Sequence, residues 1–269
     1  MELGFVKATF LALLQGFTEF LPISSSGHIL LPKELFGWPD QGLIFDVAVH
    51  VGSLIAVLIY FRADIVQLFR AWVRSCIKQE HSTDSRLAWF VILATIPAGL
   101  IGFLLSDFVA QYSRSMLIIG VMSILFAVLL YLSERLGKQQ LDLKQLTIKS
   151  SLIIGFFQMM ALIPGTSRSG ATMTAALFCG LSRKAAAKFS FLLAIPIIAA
   201  GGLLEGIEMW KTGTSGQWGE LLYAMTVSAG MSYLCIHYFL RMIERVGFLP
   251  FVIYRIVMGV ILITVYFLV

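Results

Sequence analysis

Apolar residues run along this chain in stretches of about 20, the length a helix needs to cross a hydrocarbon core, at roughly 43–61, 87–106, 115–134, 186–204, 220–240 and 250–269. Each stretch predicts a spanning α-helix. Two further apolar regions, about 3–36 and 148–181, are broken near their middles by the clusters Pro22-Ile-Ser-Ser-Ser-Gly27 and Pro164-Gly-Thr-Ser-Arg-Ser-Gly170. Neither reads as one straight span. Each is either two helices joined by an exposed loop or a re-entrant pair whose tip stops inside the membrane.

The positive residues discriminate between these readings. Arg62, Arg70, Arg74, Lys78 and Arg86 fall in one connecting loop, and Arg135, Lys138, Lys144 and Lys149 in a second. Arg183, Lys184 and Lys188 fall in a third, and Arg241 and Arg245 in a fourth. The remaining loops hold only Lys7, Lys33, Arg114 and Lys211. With two re-entrant pairs, all four basic loops lie on one side, which the positive-inside rule makes the cytoplasm. With a single crossing by each broken region, the basic loops would split between the two faces. The expected fold is therefore an all-α polytopic membrane protein of six transmembrane helices plus two re-entrant helix pairs.

Composition agrees. Hydrophobic residues make up 58% of the 269 positions and charged residues 13%, about half the charge fraction of an ordinary soluble domain. A water-soluble chain could not cover that much apolar surface, so one membrane domain over 1–269 is expected. The net charge of +5 follows from topology and calls for no nucleic acid. Cys76, Cys179 and Cys235 are far apart and lack metal-ligand spacing, which makes them packing residues. No small-residue cleavage site follows a basic start, so the first segment is expected to remain.

The two broken regions resemble each other at an offset of roughly 143 residues: Gln15 aligns with Gln158, Ser24 with Ser167, Ser26 with Ser169 and Gly27 with Gly170. Each half, about 1–137 and 146–269, then holds one re-entrant pair and three spans. An odd number of spans makes the repeat inverted in topology, an arrangement in which broken helices meet near the midplane and freed backbone groups line a site.

Of the fifteen acidic residues, only Glu19 sits well inside an apolar run, where an ionisable group is a functional hypothesis by default. Gln15, four residues earlier, points the same way on a helix. The pair can hold a divalent cation through carboxylate and amide oxygens, orient a water, or only join two helices. Directly after it, Ser24, Ser25, Ser26, Gly27 and His28 bring three hydroxyls, a permissive glycine and an imidazole. Backbone N–H groups opening the next half-helix would point at an anion there. Ser25 or a water is the candidate attacking group, and His28 a proton donor or acceptor. The second loop adds a fixed positive charge, Arg168, flanked by Ser167, Ser169 and Thr172, and a guanidinium matches phosphate oxygens in pairs. Arg255, about 8 Å into the last span at 1.5 Å per residue, either joins this clamp or snorkels to the cytoplasmic edge. Asp46 and His50 form an intrahelical pair or an outer layer of the site.

The segments Gln15-Gly-Phe-Thr-Glu19-Phe-Leu-Pro-Ile-Ser-Ser-Ser-Gly-His28 and Pro164-Gly-Thr-Ser-Arg-Ser-Gly-Ala-Thr172 resemble the two signature motifs of the bacterial undecaprenyl-diphosphate phosphatases of the bacitracin-resistance type. The likeness extends over essentially the whole chain. It implies hydrolysis of undecaprenyl diphosphate to undecaprenyl phosphate and inorganic phosphate, which recycles the lipid carrier of peptidoglycan and other cell-wall polymers and confers bacitracin resistance. It further implies dependence on Mg2+ or Ca2+ and an inner-membrane site that opens to the outer, periplasmic face. Carried over by position, Glu19 is the metal or acid/base carboxylate, Ser25 the nucleophile candidate, His28 an assisting group and Arg168 the phosphate binder. Ser24, Ser26, Gly27, Ser167, Ser169, Thr172 and Arg255 line the substrate, and Gln15 joins Glu19 at the metal. The family's first motif position takes Glu or Gln, and Gln15 leaves this chain one carboxylate there. The expected partners are a polyprenyl diphosphate lipid and the bilayer; a homodimer is compatible with the sequence.

Two rivals remain. Lipid phosphatases with a Ser-Arg-x5-His-x3-Asp segment need a His and an Asp where this chain has Thr174 and Phe178, so that chemistry is excluded. A flippase for undecaprenyl phosphate would bind the same head group, and a phosphate-release assay separates it from a hydrolase.

Overall fold

The computed structural model describes residues 4–105, 115–212 and 218–268. Among these residues the chain is helical apart from its turns: α1 (Phe5–Thr18), α2 (Ser25–Phe36), α3 (Gly42–Tyr60), α4 (Arg62–Ile77), α5 (Thr83–Leu104), α6 (Met116–Leu136), α7 (Ile148–Met160), α8 (Arg168–Phe178), α9 (Arg183–Thr212), α10 (Trp218–Val246) and α11 (Leu249–Leu268). Arg114 lies outside the described residues.

Five of these helices, α3, α5, α6, the Arg183–Leu204 part of α9, and α11, are long and apolar enough to cross a bilayer. The sixth expected span, α10, has 29 residues but is more polar, and part of that polarity is spent on packing. Ser228 Oγ donates to the Val49 carbonyl at 2.7 Å, and Ser232 Oγ reaches both the Gly16 carbonyl at 3.1 Å and Ser53 Oγ at 2.9 Å. Such bonds between helices in lipid contribute about 0.6 kcal/mol each, and they pin α10 to α3 and α1. The chain is a multi-pass membrane protein.

The broken regions form helix pairs too short to span. At 1.5 Å per residue, the 14 residues of α1 and 12 of α2 extend about 21 and 18 Å, and the 13 of α7 and 11 of α8 about 20 and 16 Å. The two tips touch: Ser169 Oγ donates to the Leu21 carbonyl at 2.7 Å. Each tip turns through a serine in the left-handed region, Ser24 at φ 70° and Ser167 at φ 66°.

The basic loops expected from the sequence are in large part helix. Residues 62–77 form α4, whose arginines Arg62, Arg70 and Arg74 are exposed, while Arg183, Lys184 and Lys188 lie in the first turns of α9. Gly, Pro and Asn are missing from 62–77, and tertiary packing on α5 supplies the burial that an isolated amphipathic segment lacks. Ion pairs gather these basic ends. Lys188 pairs with Asp64, Arg183 with Glu134 at 2.8 Å, and Lys184 with Glu244 at 3.7 Å. The ends of α3, α6 and α10 and the start of α9 thus sit together, at the end of α3 opposite Gly42.

Candidate functional site

Glu19 caps the C-terminal end of α1, and its carboxylate is 8% exposed. Every partner of this group comes from a different turn of the fold. Gln15 Nε2 donates to Oε2 at 2.9 Å and Ser25 Oγ donates to the same oxygen at 3.0 Å. Arg168 Nη2 donates to Oε1 at 3.2 Å, and His50 Nε2 from α3 lies 3.7 Å from Oε2. The carboxylate that the sequence placed alone in an apolar run therefore collects a hydroxyl, an amide, a guanidinium and an imidazole.

Arg168 opens α8. Its other arm donates from Nη1 to the Ser190 carbonyl at 3.0 Å, and its guanidinium lies over the Phe20 ring at 5.9 Å. Phe20 meets Phe191 edge-on, Phe191 packs on Phe239, and Phe239 on Phe248. This aromatic floor separates the Glu19–Arg168 pair from the basic end of the molecule. A low-dielectric floor strengthens the field of the charges above it.

On the other side the pair adjoins a cavity of about 230 Å³ between α2 and α3, lined by Ser25, Ser26, Lys33, Gln41, Asp46 and His50, with Ile29, Leu30 and Leu43 as its apolar wall. Ser25, Ile29 and Lys33 share one face of α2 because they are four residues apart, and Asp46 and His50 share a face of α3 for the same reason. His50 Nδ1 donates to the Asp46 carbonyl at 2.7 Å, which turns Nε2 toward Glu19. The Asp46 carboxylate accepts from Gln41 Nε2 at 3.0 Å, so the sequence pair Asp46/His50 meets through a carbonyl rather than a carboxylate.

The two turns divide the labour. Ser24 makes no side-chain cap to α2 and instead shares a 3.1 Å hydrogen bond with Ser26, so the first N–H groups of α2 are left for an anion. Ser167 does cap its helix, accepting from Gly170 N at 3.2 Å, and shares a 3.2 Å bond with Ser169. Thr172 Oγ1 donates to the Arg168 carbonyl at 2.9 Å and lies 2.7 Å from Ser190 Oγ, a hydroxyl that can donate to it. Gly27 packs where an added Cβ would stand 3.2 Å from Ile119.

Arg255 does not snorkel: it is fully buried. Its Nη2 donates to the carbonyls of Gly165 and Thr166 at 2.9 Å each, and Nη1 to that of Pro22 at 3.4 Å. One side chain of α11 thereby ties both turns together. Gly170 leaves room for this guanidinium, since a Cβ there would come within 2.6 Å of Arg255 Nη1 and push it aside. His28 is also engaged on both sides, with Nδ1 at 2.7 Å from the Ser24 carbonyl and Nε2 at 2.6 Å from Tyr254 Oη. Sequence reasoning passed over Tyr254 and Ser190 and left His50 either in an intrahelical pair with Asp46 or in an outer layer. Tyr254 adjoins Arg255 in a polar step within an apolar helix, a visible signal; the part played by Ser190 runs through a backbone carbonyl and leaves none.

A family model described as bacitracin resistance protein BacA matches residues 8–261. The chain is 55% identical over 249 residues to an undecaprenyl-diphosphatase of Hahella chejuensis, covering 93% of each chain. It is 52% identical over 252 residues to the undecaprenyl-diphosphatase of Alteromonas mediterranea, covering 94% of this chain and 95% of that one. With undecaprenyl-diphosphatase 1 of Pseudoalteromonas translucida it shares 51% over 258 residues, or 96% and 97% of the two chains.

Proposed function

The chain belongs to the bacitracin resistance protein BacA family, and from that premise we infer that it is an integral membrane undecaprenyl-diphosphatase, which cleaves undecaprenyl diphosphate into undecaprenyl phosphate and inorganic phosphate. The observation that supports a mechanism is the 3.0 Å bond from Ser25 Oγ to Glu19 Oε2, the nucleophile–base contact that activates a hydroxyl. In this reading the terminal phosphate sits over the N-terminus of α2. Ser25 Oγ attacks its phosphorus as the proton passes to Glu19. The bond to the bridging oxygen breaks, and its electron pair leaves with the monophosphate lipid. Glu19 gives that proton up to the departing monophosphate lipid. Water then loses a proton to the Glu19 carboxylate as it displaces Ser25 Oγ, which takes the proton back from Glu19 as phosphate leaves. Arg168 exchanges one bond to Glu19 for bonds to phosphoryl oxygens, where developing charge is best stabilised by fixed donors. His50 faces the same carboxylate from the cavity wall. Ser167, Ser169, Thr172 and Arg255 act by position, holding the two turns in register.

A divalent cation fits beside Glu19 and Gln15. Gln15 Oε1 is buried without a hydrogen-bond partner, while Gln15 Nε2 and Glu19 Oε2 are 2.9 Å apart. Turning the amide over, an assignment that hydrogen-bond networks decide, would set two oxygens at the spacing of neighbouring ligands on one ion. Among the described residues no group of three or more His, Cys, Asp or Glu could hold a metal, so phosphate oxygens would complete the shell, the usual manner for Mg2+. When bound, Mg2+ or Ca2+ would neutralise charge on the diphosphate.

The substrate's isoprenoid start fits along Ile29, Leu30 and Leu43, and the two halves, about 1–137 and 146–269, act as an inverted repeat meeting at the site. The gathered basic ends favour a cytoplasmic floor and a cavity open to the periplasmic side of the inner membrane. Cys76, exposed at the end of α4, is then expected to escape a membrane-impermeant maleimide in intact cells and to react once the membrane is opened. Labelling in intact cells would reverse the orientation.

Purified protein in detergent with Mg2+ should release phosphate from a polyprenyl diphosphate. In sealed vesicles, movement of the monophosphate lipid between leaflets with no phosphate release would instead support a carrier.

A further inference from the structure

We propose that His28 is a positioning residue, a lock on the Ser24–Ser25 turn with Tyr254 as its partner, and that it exchanges no proton with substrate. The proposal rests on the cleft being the diphosphatase site, and it assigns the imidazole within that site.

Three observations carry it. First, both ring nitrogens are taken. The Ser24 carbonyl can only accept, so the 2.7 Å contact puts the proton on Nδ1; Nε2 then accepts from the Tyr254 hydroxyl at 2.6 Å. The two ring planes lie 5° from parallel with centroids 5.4 Å apart, and the 2.6 Å hydroxyl contact is what joins them. A proton donor or acceptor for the substrate needs an open nitrogen, and His28 presents none to the cavity, whose lining includes His50 instead.

Second, the bond that His28 makes has a backbone counterpart in the other turn. There the Ala171 N–H donates to the Ser167 carbonyl at 2.8 Å, and Ala171 occupies the place that matches His28 in the repeat. An imidazole that does the work of a helix-capping N–H is performing a structural task.

Third, the residue it holds is strained. Ser24 has φ 70°, a region that L side chains rarely enter and that persists only where the surroundings over-determine it. Ser25 follows directly, and its hydroxyl is the one that meets Glu19. Release of Ser24 would rotate that hydroxyl away from the carboxylate, and a misplacement of about 1 Å costs on the order of 100-fold in rate.

The test compares wild type with Y254F, H28A and H28N in detergent with Mg2+ and a polyprenyl diphosphate, across the neutral pH range. A lock predicts kcat reduced about 5-fold in Y254F and about 100-fold in H28A, with KM within about 2-fold. His28→Asn, whose amide can donate to the Ser24 carbonyl from the same position, should recover to within about 10-fold of wild type, and every pH–rate profile should keep the wild-type shape. If H28N is as inactive as H28A, or a limb of the profile disappears with the imidazole, the group is an acid–base catalyst and the proposal fails. A raised KM at unchanged kcat would make it a substrate contact and also overturns it. Should H28A not fold, Y254F decides, since wild-type kcat in that variant is incompatible with a lock. Wild type without phosphate release would refute the diphosphatase reading alone. The lock would still be tested by alkylation of S25C, whose rate with a small thiol reagent should change several-fold when Y254F is added and would not change if the turn stands by itself.

Discussion

Glu19→Gln is expected to lower kcat for phosphate release by about three orders of magnitude, within the range typical of a lost general base. The amide keeps the shape of the side chain and removes two properties. It cannot take the Ser25 proton, and it cannot balance Arg168, whose other acceptor among the described residues is the Ser190 carbonyl. Leaving one member of a buried ion pair alone costs on the order of 3–5 kcal/mol, and both side chains here are largely buried, at 12% and 8% exposure. Stability in detergent should therefore fall along with activity. Arg168→Ala should be similarly inactive, with the lost energy on the phosphate side. The double variant separates the two roles: because the groups act on one another and on one transition state, the combined loss should be far less than the product of the single losses. A product close to multiplicative, or Glu19→Gln within 10-fold of wild type by phosphate release, would remove Glu19 from the reaction.

Arg255→Met is the second large effect, and it is expected through the joint between the two turns. The guanidinium satisfies three carbonyls, one in the first turn and two in the second. Methionine fills the volume and leaves Pro22, Gly165 and Thr166 without that donor. At roughly 1–3 kcal/mol for each orphaned group, partly offset because an unneutralised buried cation is itself costly, a net loss of about 3 kcal/mol is reasonable. Thermal unfolding in detergent should drop by several degrees, and kcat should fall on the order of 100-fold as the turns drift apart. Arg255→Lys should rescue little, because one ammonium cannot reproduce a planar fork set across two turns. Gly170→Ala gives an independent handle on the same joint, since its Cβ would displace Arg255 Nη1. Unchanged melting in both variants would mean that the turns are held by other contacts.

Much of the fold was legible because lipid is a demanding solvent. A segment that crosses it must be apolar for about 20 residues and must satisfy its own backbone, so the five long apolar helices and the two interrupted regions stand out in the residue pattern. The motif residues were legible for the complementary reason: Glu19 and Arg168 are too costly in such a place without a task. Residues 62–77 were misjudged as loop because charge along a segment signals water on one side, and it says nothing about the opposite face. The 16 residues of α4 put their apolar side on α5 and keep the arginines outside.

What the sequence determined by itself was therefore the solvent, the place and length of the long apolar segments, and the candidates for the reactive groups, all of which follow from local chemistry and the thickness of a bilayer. Partnership was decided only by the tertiary structure. That Ser25, and neither Ser24 nor Ser26, meets Glu19, that Arg255 turns inward to backbone carbonyls instead of outward to the membrane edge, and that His28 is engaged while His50 lines the cavity all depend on which faces of helices far apart in the chain come together. A hydrogen bond extends only about 3 Å, and one turn of helix rotation moves a side chain by more than that, so no spacing along the chain could have chosen among them.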